Sequence, residues 1–75
     1  MNSLYDLKIN EPGIVESLSC NGSLKRRLLD LGIIKGTKIT PILKSPSGDP
    51  TAFEIRGTLI ALRKEDAKLI KIEMS

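Results

Sequence analysis

The spacing of apolar positions along this chain changes from helical to alternating and back. Leu4 and Leu7 stand three apart, enough for one turn that plugs the end of a barrel. Asn10-Glu11-Pro12-Gly13 has turn composition, and Ile14 to Ser19 reads as a first strand. From about Ser23 to Leu31 the spacing is helical. Leu24, Leu28 and Leu31 fall at i, i+4 and i+7 on one face, with Leu29 widening the stripe. Asn21 or Ser23 can cap this helix with a side-chain oxygen. Gly32 suits a left-handed position just past its end, which brings Ile33 against Leu28. About nine residues do not sustain a helix alone, so this one must dock on a sheet.

After the helix the period is two. Gly36 makes a turn, and Lys38 to Lys44 forms a strand containing Pro41, which lacks a ladder donor. That predicts an edge or bulged strand, and an edge there also offers a route to weak self-pairing. Ser45-Pro46-Ser47-Gly48-Asp49-Pro50 is a constrained loop. Thr51 to Arg56 alternates, with Phe53 and Ile55 on one face and Glu54 and Arg56 on the other. Gly57 turns the chain into Thr58–Arg63, and Lys64–Lys68 forms a short helical turn. The last strand is Leu69 to Met74, with Ile70, Ile72 and Met74 inward and Lys71 and Glu73 outward. The elements predict a mainly β fold, one domain over residues 1–75. It is a small, partly open barrel of about five strands with one short helix after the first strand.

Composition narrows the functions such a barrel can carry. A chain of 75 residues buries roughly 60–65% of the surface its unfolded form exposes, so most large apolar side chains are committed to the core. Little remains to wall a deep pocket. The sequence has no histidine, and Cys20 is its only cysteine. An intramolecular disulfide and a thiolate zinc site are thereby excluded, and the commonest general base is missing. No residue is expected to be catalytic, to form a metal site or to hold a cofactor; Asp49, Glu54 or Asp66 would hold a cation only weakly. Cys20 reads as a buried, inert thiol. One free thiol and no secretion-type leader point to a reducing cytoplasm. The longest apolar run, Leu59-Ile60-Ala61-Leu62, is far shorter than the roughly 20 residues of a membrane span.

The net charge of +3 is unevenly placed. Lys25, Arg26, Arg27, Lys35, Lys38 and Lys44 stand against Asp30 alone, whereas elsewhere eight acids face six bases. A basic middle suggests an acidic partner surface; its bland alternative is a solvated helix face. Lys25 and Arg26 point away from the apolar stripe and, with Lys35, are candidate contacts. Arg27 lies at the stripe's edge, where it can bond sheet carbonyls or pair with Asp30. The loop residues Pro46, Ser47, Gly48, Asp49 and Pro50 are further candidates, because a stiff loop binds with little ordering cost. Asp49 can also accept backbone N–H bonds two residues on, as in an Asx turn. The loop lacks the Gly-x4-Gly-Lys-Ser/Thr pattern of nucleotide sites. Nucleic-acid binding through the basic segment Lys25–Lys44 is an alternative reading. Against it, the aromatics are only Tyr5 and Phe53, the latter predicted inward.

An ordered set of residues carries a resemblance across the whole chain. It runs Leu4 and Leu7, Arg27-Leu28, Leu31-Gly32, Gly36-Thr37, Pro46, Gly48-Asp49-Pro50, Gly57, Leu62-Arg63, and Ala67 with Ile70. This set resembles the FeoA family, small SH3-like cytoplasmic proteins associated with bacterial ferrous iron uptake. The resemblance implies an SH3-like barrel in which Arg27, Leu28, Leu31, Gly32, Gly36, Gly57, Leu62 and Arg63 form the structural motif. It also implies a non-catalytic adaptor or regulator that binds the cytoplasmic GTPase domain of a FeoB-type permease, with no specific nucleic acid and no membrane insertion. The family carries a label of transition-metal association. Three positions depart from its pattern. Asn10 stands where glycine is usual, a tolerable exchange at positive φ. Lys35 replaces a proline before Gly36, and Ser47 replaces an apolar residue within Pro-x-Gly-Asp-Pro.

Overall fold

The computed structural model describes residues 2–74. A 3-10 turn, Leu4–Asp6, precedes β1 (Gly13–Leu18), α1 (Gly22–Asp30), β2 (Lys38–Lys44), β3 (Thr51–Ile55), β4 (Thr58–Leu62), α2 (Lys64–Ala67) and β5 (Ile70–Met74). The strands form one antiparallel sheet in the order β4-β3-β2-β1-β5. Alternation puts Val15, Ile39, Phe53, Ile55, Leu62, Ile70 and Ile72 inside, and Leu4, Leu7, Leu28, Ile33 and Ala67 complete the buried apolar core. Between Leu4, Leu7, Phe53 and Leu62 the enclosed space is only about 10 Å³, the occupied volume of at most one water. Lys71 is half-buried and Glu73 exposed; the side chain of Met74, expected inward, lies outside the described residues. Among the described residues, no helix is long and apolar enough to cross a membrane.

Helix α1 docks as its spacing predicts, but its apolar stripe is narrower. Leu28 is fully buried, and Leu24 and Leu31 pack against the core. Leu29 is 41% exposed; one residue turns the helix about 100°, which carries Leu29 away from the Leu24–Leu31 side. The helix ends as expected. Gly32 has φ +89°, the Ile33 N–H donates to the Leu28 carbonyl at 3.0 Å, and the Gly32 N–H donates to that of Leu29 at 3.0 Å. The start differs. Asn21 occupies the cap position with an extended backbone but makes no side-chain cap bond, and Gly22 follows at φ +67°. A left-handed first residue departs from the regular first turn that a capping oxygen serves. Cys20 is half-buried against the core rather than sealed within it.

Strand β2 is not an edge, as Pro41 allowed, but lies between β1 and β3. The bulge is real: the register slips between Pro41 and Leu43. The β1–β2 ladder ends at the Gly13↔Ile39 pair, and beyond it the Pro41 carbonyl accepts the Asn10 N–H at 2.7 Å. The proline nitrogen therefore faces the side where the ladder has already stopped, and its missing hydrogen leaves no partner unmatched. β3 pairs with this strand along Ile39 to Lys44, whereas β1 covers only its first residues. Asn10 has φ +68°, the conformation expected where glycine is usual. Arg56 is a turn residue and not the end of a strand. It and Gly57 have φ +53° and +82° and close the β3–β4 hairpin at Ile55↔Thr58, the signs that a two-residue type I′ turn requires.

Candidate partner-binding surface

The proline-bounded loop is folded onto α2. The first N–H groups of a helix have no intrahelical acceptor, and Asp49 Oδ1 accepts that of Lys64 at 2.9 Å. Asp49 thus ties its loop to α2 instead of closing an Asx turn within the loop; the neighbouring N–H groups are taken differently. Ser47 Oγ donates to the Asp49 carbonyl at 2.9 Å, and the Gly48 N–H donates to the Ser45 carbonyl at 2.8 Å. The hydroxyl that stands in place of an apolar residue therefore fastens the loop internally. The Asp49–Pro50 peptide is cis. Pro46, Ser47 and Pro50 are exposed and available for contact, while Gly48 and Asp49 are half-buried.

The other end of α2 meets α1. Arg27 Nη2 donates to Asp66 Oδ2 at 3.4 Å, with the arginine side chain 62% and the aspartate 16% exposed. This takes the place of both expected partners of Arg27, Asp30 and the sheet carbonyls: the fold brings a carboxylate of α2, 39 residues away in sequence, within reach. So exposed an ion pair contributes less than about 1 kcal/mol. The loop and the basic helix are thus each tied to α2, the loop at Lys64 and α1 at Asp66. Neither anchor was found by local pattern, since both partners are far away in sequence. Of the motif residues, Leu28 and Leu62 are buried and Leu31 half-buried. Gly32, Gly36 and Gly57 all have positive φ, whereas Arg27 and Arg63 lie on the surface.

Lys25 and Arg26 are exposed, as their wheel position predicts, and Lys35 is exposed in the turn before Gly36. Leu29 follows Lys25 by four residues and Arg26 by three, so the three side chains share one helix face. With Gly22 and Asp30 they rim an open depression of about 350 Å³. An exposed apolar group beside two cations suits the desolvated centre and charged rim of a protein interface.

Other chemistries find less support in these residues. Among the described residues, no three Cys, Asp or Glu side chains form a group able to hold a metal ion. Asp49 is engaged by Lys64, Asp66 by Arg27, and Glu54 is exposed on β3. The donor set does not fit a transition-metal centre. Phe53 is buried, and the Tyr5 ring lies 5.0 Å from the Lys68 ammonium, so neither is interleaved with the basic segment as base stacking requires.

Comparison with known proteins gives this surface its context. Residues 2–74 match the family model described as FeoA domain. The chain is 28% identical over 71 residues to an Fe(2+) transport protein A/Fe(2+) transporter FeoB fusion protein of Porphyromonas gingivalis, covering 95% of this chain and 8% of that protein. The FeoA protein of Chlorobium tepidum superposes with a TM-score of 0.90 at 30% identity, over 97% of this chain and 70% of that one. The FeoA of Stenotrophomonas maltophilia, solved in complex with zinc and described as a prokaryotic SH3 domain protein, gives 0.87 at 30% identity, over 97% and 91%. The fold is SH3-like.

Proposed function

This chain belongs to the FeoA family, and from that premise we propose that it is a non-catalytic adaptor that regulates ferrous iron uptake by binding a FeoB-type permease. The observation that carries this reading is the fusion of FeoA and FeoB sequences in one relative. Fusion holds two modules at high effective concentration, which serves modules that act together. In this reading the chain works in the cytoplasm, and ferrous iron is the cargo of the permease, not a ligand of the barrel.

The contact surface is the Lys25–Arg26–Leu29 face of α1 together with Lys35 and the tip of the loop at Pro46, Ser47 and Pro50. The exposure of these groups and the fastening of the loop to α2 support the assignment. A prefastened loop loses little conformational freedom on docking. Regulation requires that the barrel bind one state of the GTPase domain better than another, and a coupling of about 1–3 kcal/mol suffices. The test is calorimetric titration of this chain into the cytoplasmic GTPase domain of the cognate permease, with nucleotide turnover followed in parallel. Binding that weakens at least tenfold with Lys25→Glu/Arg26→Glu, and turnover that changes on saturation, are expected. No binding at high micromolar concentration together with unchanged turnover refutes the proposal.

A further inference from the structure

We propose that the free edge of β4 is a strand-addition site for an extended partner segment with apolar residues at alternate positions and carboxylates at both ends. This goes beyond the adaptor reading and holds whichever protein supplies the strand. β4 pairs with β3 on one side and is the outermost strand of the sheet on the other. The hairpin closes at Ile55↔Thr58, and in an antiparallel ladder alternate residues turn both backbone groups to the same neighbour. Thr58, Ile60 and Leu62 therefore serve β3. The N–H and C=O groups of Leu59 and Ala61 face outward, where an added strand would find them.

Natural sheets guard such an edge with charge, proline or a bulge. Thr58 to Leu62 contains no charged residue and no proline, and its register with β3 is unbroken. The adjoining outer face is apolar as well. Ala61 pairs with Ala52, and Ala52 with Leu43; the bulge at Pro41 has turned Leu43 to this face. Leu43 and Leu59 are 66% and 64% exposed, well above the other exposed large hydrophobics. A strand laid beside β4 would set its outward apolar residues against Leu59 and Ala61.

Charge selects the occupant. A second copy, paired antiparallel about Ile60, would bring the Arg56 turn of each chain towards Arg63 and Lys64 of the other beyond the ends of the ladder, and like charges brought together repel. Arg56, Arg63 and Lys64 are all exposed. The same cations complement a segment that carries carboxylates where the β4 ladder ends. Main-chain bonds then supply affinity, while the terminal charges and the apolar alternation supply choice of partner.

The experiment uses the whole chain labelled with ¹⁵N and two synthetic peptides, DDVTVTVDD and KKVTVTVKK. The acidic peptide is expected to shift the Leu59 and Ala61 amide signals saturably and to slow their hydrogen exchange at least tenfold; the basic peptide is expected to do neither. Arg56→Glu/Arg63→Glu should reverse the preference. Ala61→Pro should abolish the response while leaving the other amide signals in place, because the N–H it removes has no partner within the sheet. Leu59→Lys, which keeps every backbone donor, should weaken binding without that risk to the fold. An equal response to both peptides, a response centred away from β4, or none at millimolar peptide overturns the proposal. So does protection of the same amides that grows with protein concentration alone, since the occupant is then a second copy.

Discussion

Gly13→Ala is a one-methyl change whose cost can be worked from the structure. Gly13 opens β1 and is paired on both sides, to Ile39 of β2 and Met74 of β5, so its backbone has no free direction in which to retreat. A Cβ there would overlap Cγ2 of Ile72 and lie 3.0 and 3.5 Å from the two methyls of Leu7. Both neighbours are 4% exposed, and the branched Ile72 has few alternative rotamers. Overpacking of this kind costs about 1–3 kcal/mol. Alanine also restricts the unfolded chain, which offsets about 0.4–1 kcal/mol. The net expectation is a loss of about 1–2 kcal/mol. For a protein of this size each kcal/mol lowers Tm by roughly 4–8 °C. Urea and thermal unfolding followed by circular dichroism measure it. Because leucine has no Cγ2, Ile72→Leu should recover part of the loss in the Gly13→Ala background, giving a favourable coupling of at least about 0.5 kcal/mol in a double-mutant cycle. A Gly13→Ala protein as stable as the parent, or strictly additive behaviour with Ile72→Leu, would show that the close approach is relieved at no cost and would refute the reasoning.

Other outcomes follow from the turns and anchors. Arg56→Gly should raise stability by about 1 kcal/mol, since a non-glycine residue at left-handed φ is strained by roughly 1–2 kcal/mol; an unchanged urea midpoint would contradict this. Asp49→Ala should cost about 1 kcal/mol, within the 0.5–2 kcal/mol range of lost N-terminal caps, whereas Asp49→Asn, which keeps a carbonyl oxygen for the Lys64 N–H, should recover most of it. Leu29→Ala should change stability by less than about 0.5 kcal/mol, as an exposed position allows, yet weaken binding to the permease domain in the calorimetric titration; a large drop in Tm would mean that Leu29 belongs to the core after all.

Period and punctuation made most of the fold legible. The Leu24–Leu28–Leu31 spacing marked α1, Gly32 and Ile33 marked its end, and alternation through Phe53 and Ile55 gave β3 its inner face. Asn10 at positive φ followed from its place in a family pattern that prefers glycine. Information that depends on distant partners was not legible. Asp49 suggested a local turn because its acceptor oxygens are matched most simply nearby, but Lys64 is brought to it by the β3–β4 hairpin. Arg27 had Asp30 within reach along its own helix, yet α2 presents Asp66. Pro41 admitted an edge or a bulge, and only the order of strands decides between them. At the candidate contact surface, Lys25 and Arg26 were readable as solvent-facing from the wheel. Leu29 does not widen the stripe as its apolar character suggests, because its angle on the helix turns it to solvent.

Ile42, the unmatched residue between Pro41 and Leu43, divides β2 into halves of opposite parity. Before it, odd-numbered positions such as Ile39 and Pro41 fill the interior; after it, odd-numbered Leu43 meets water. Deleting Ile42 would set Leu43 directly after Pro41, where regular alternation still turns it outward opposite Ala52, so the deletion should remove the kink without reversing either face. The extra residue thus bends β2 where it leaves β1, and the face that Leu43 shares with Ala52 and Ala61 is set by its pairing with β3 and not by its count from Ile39.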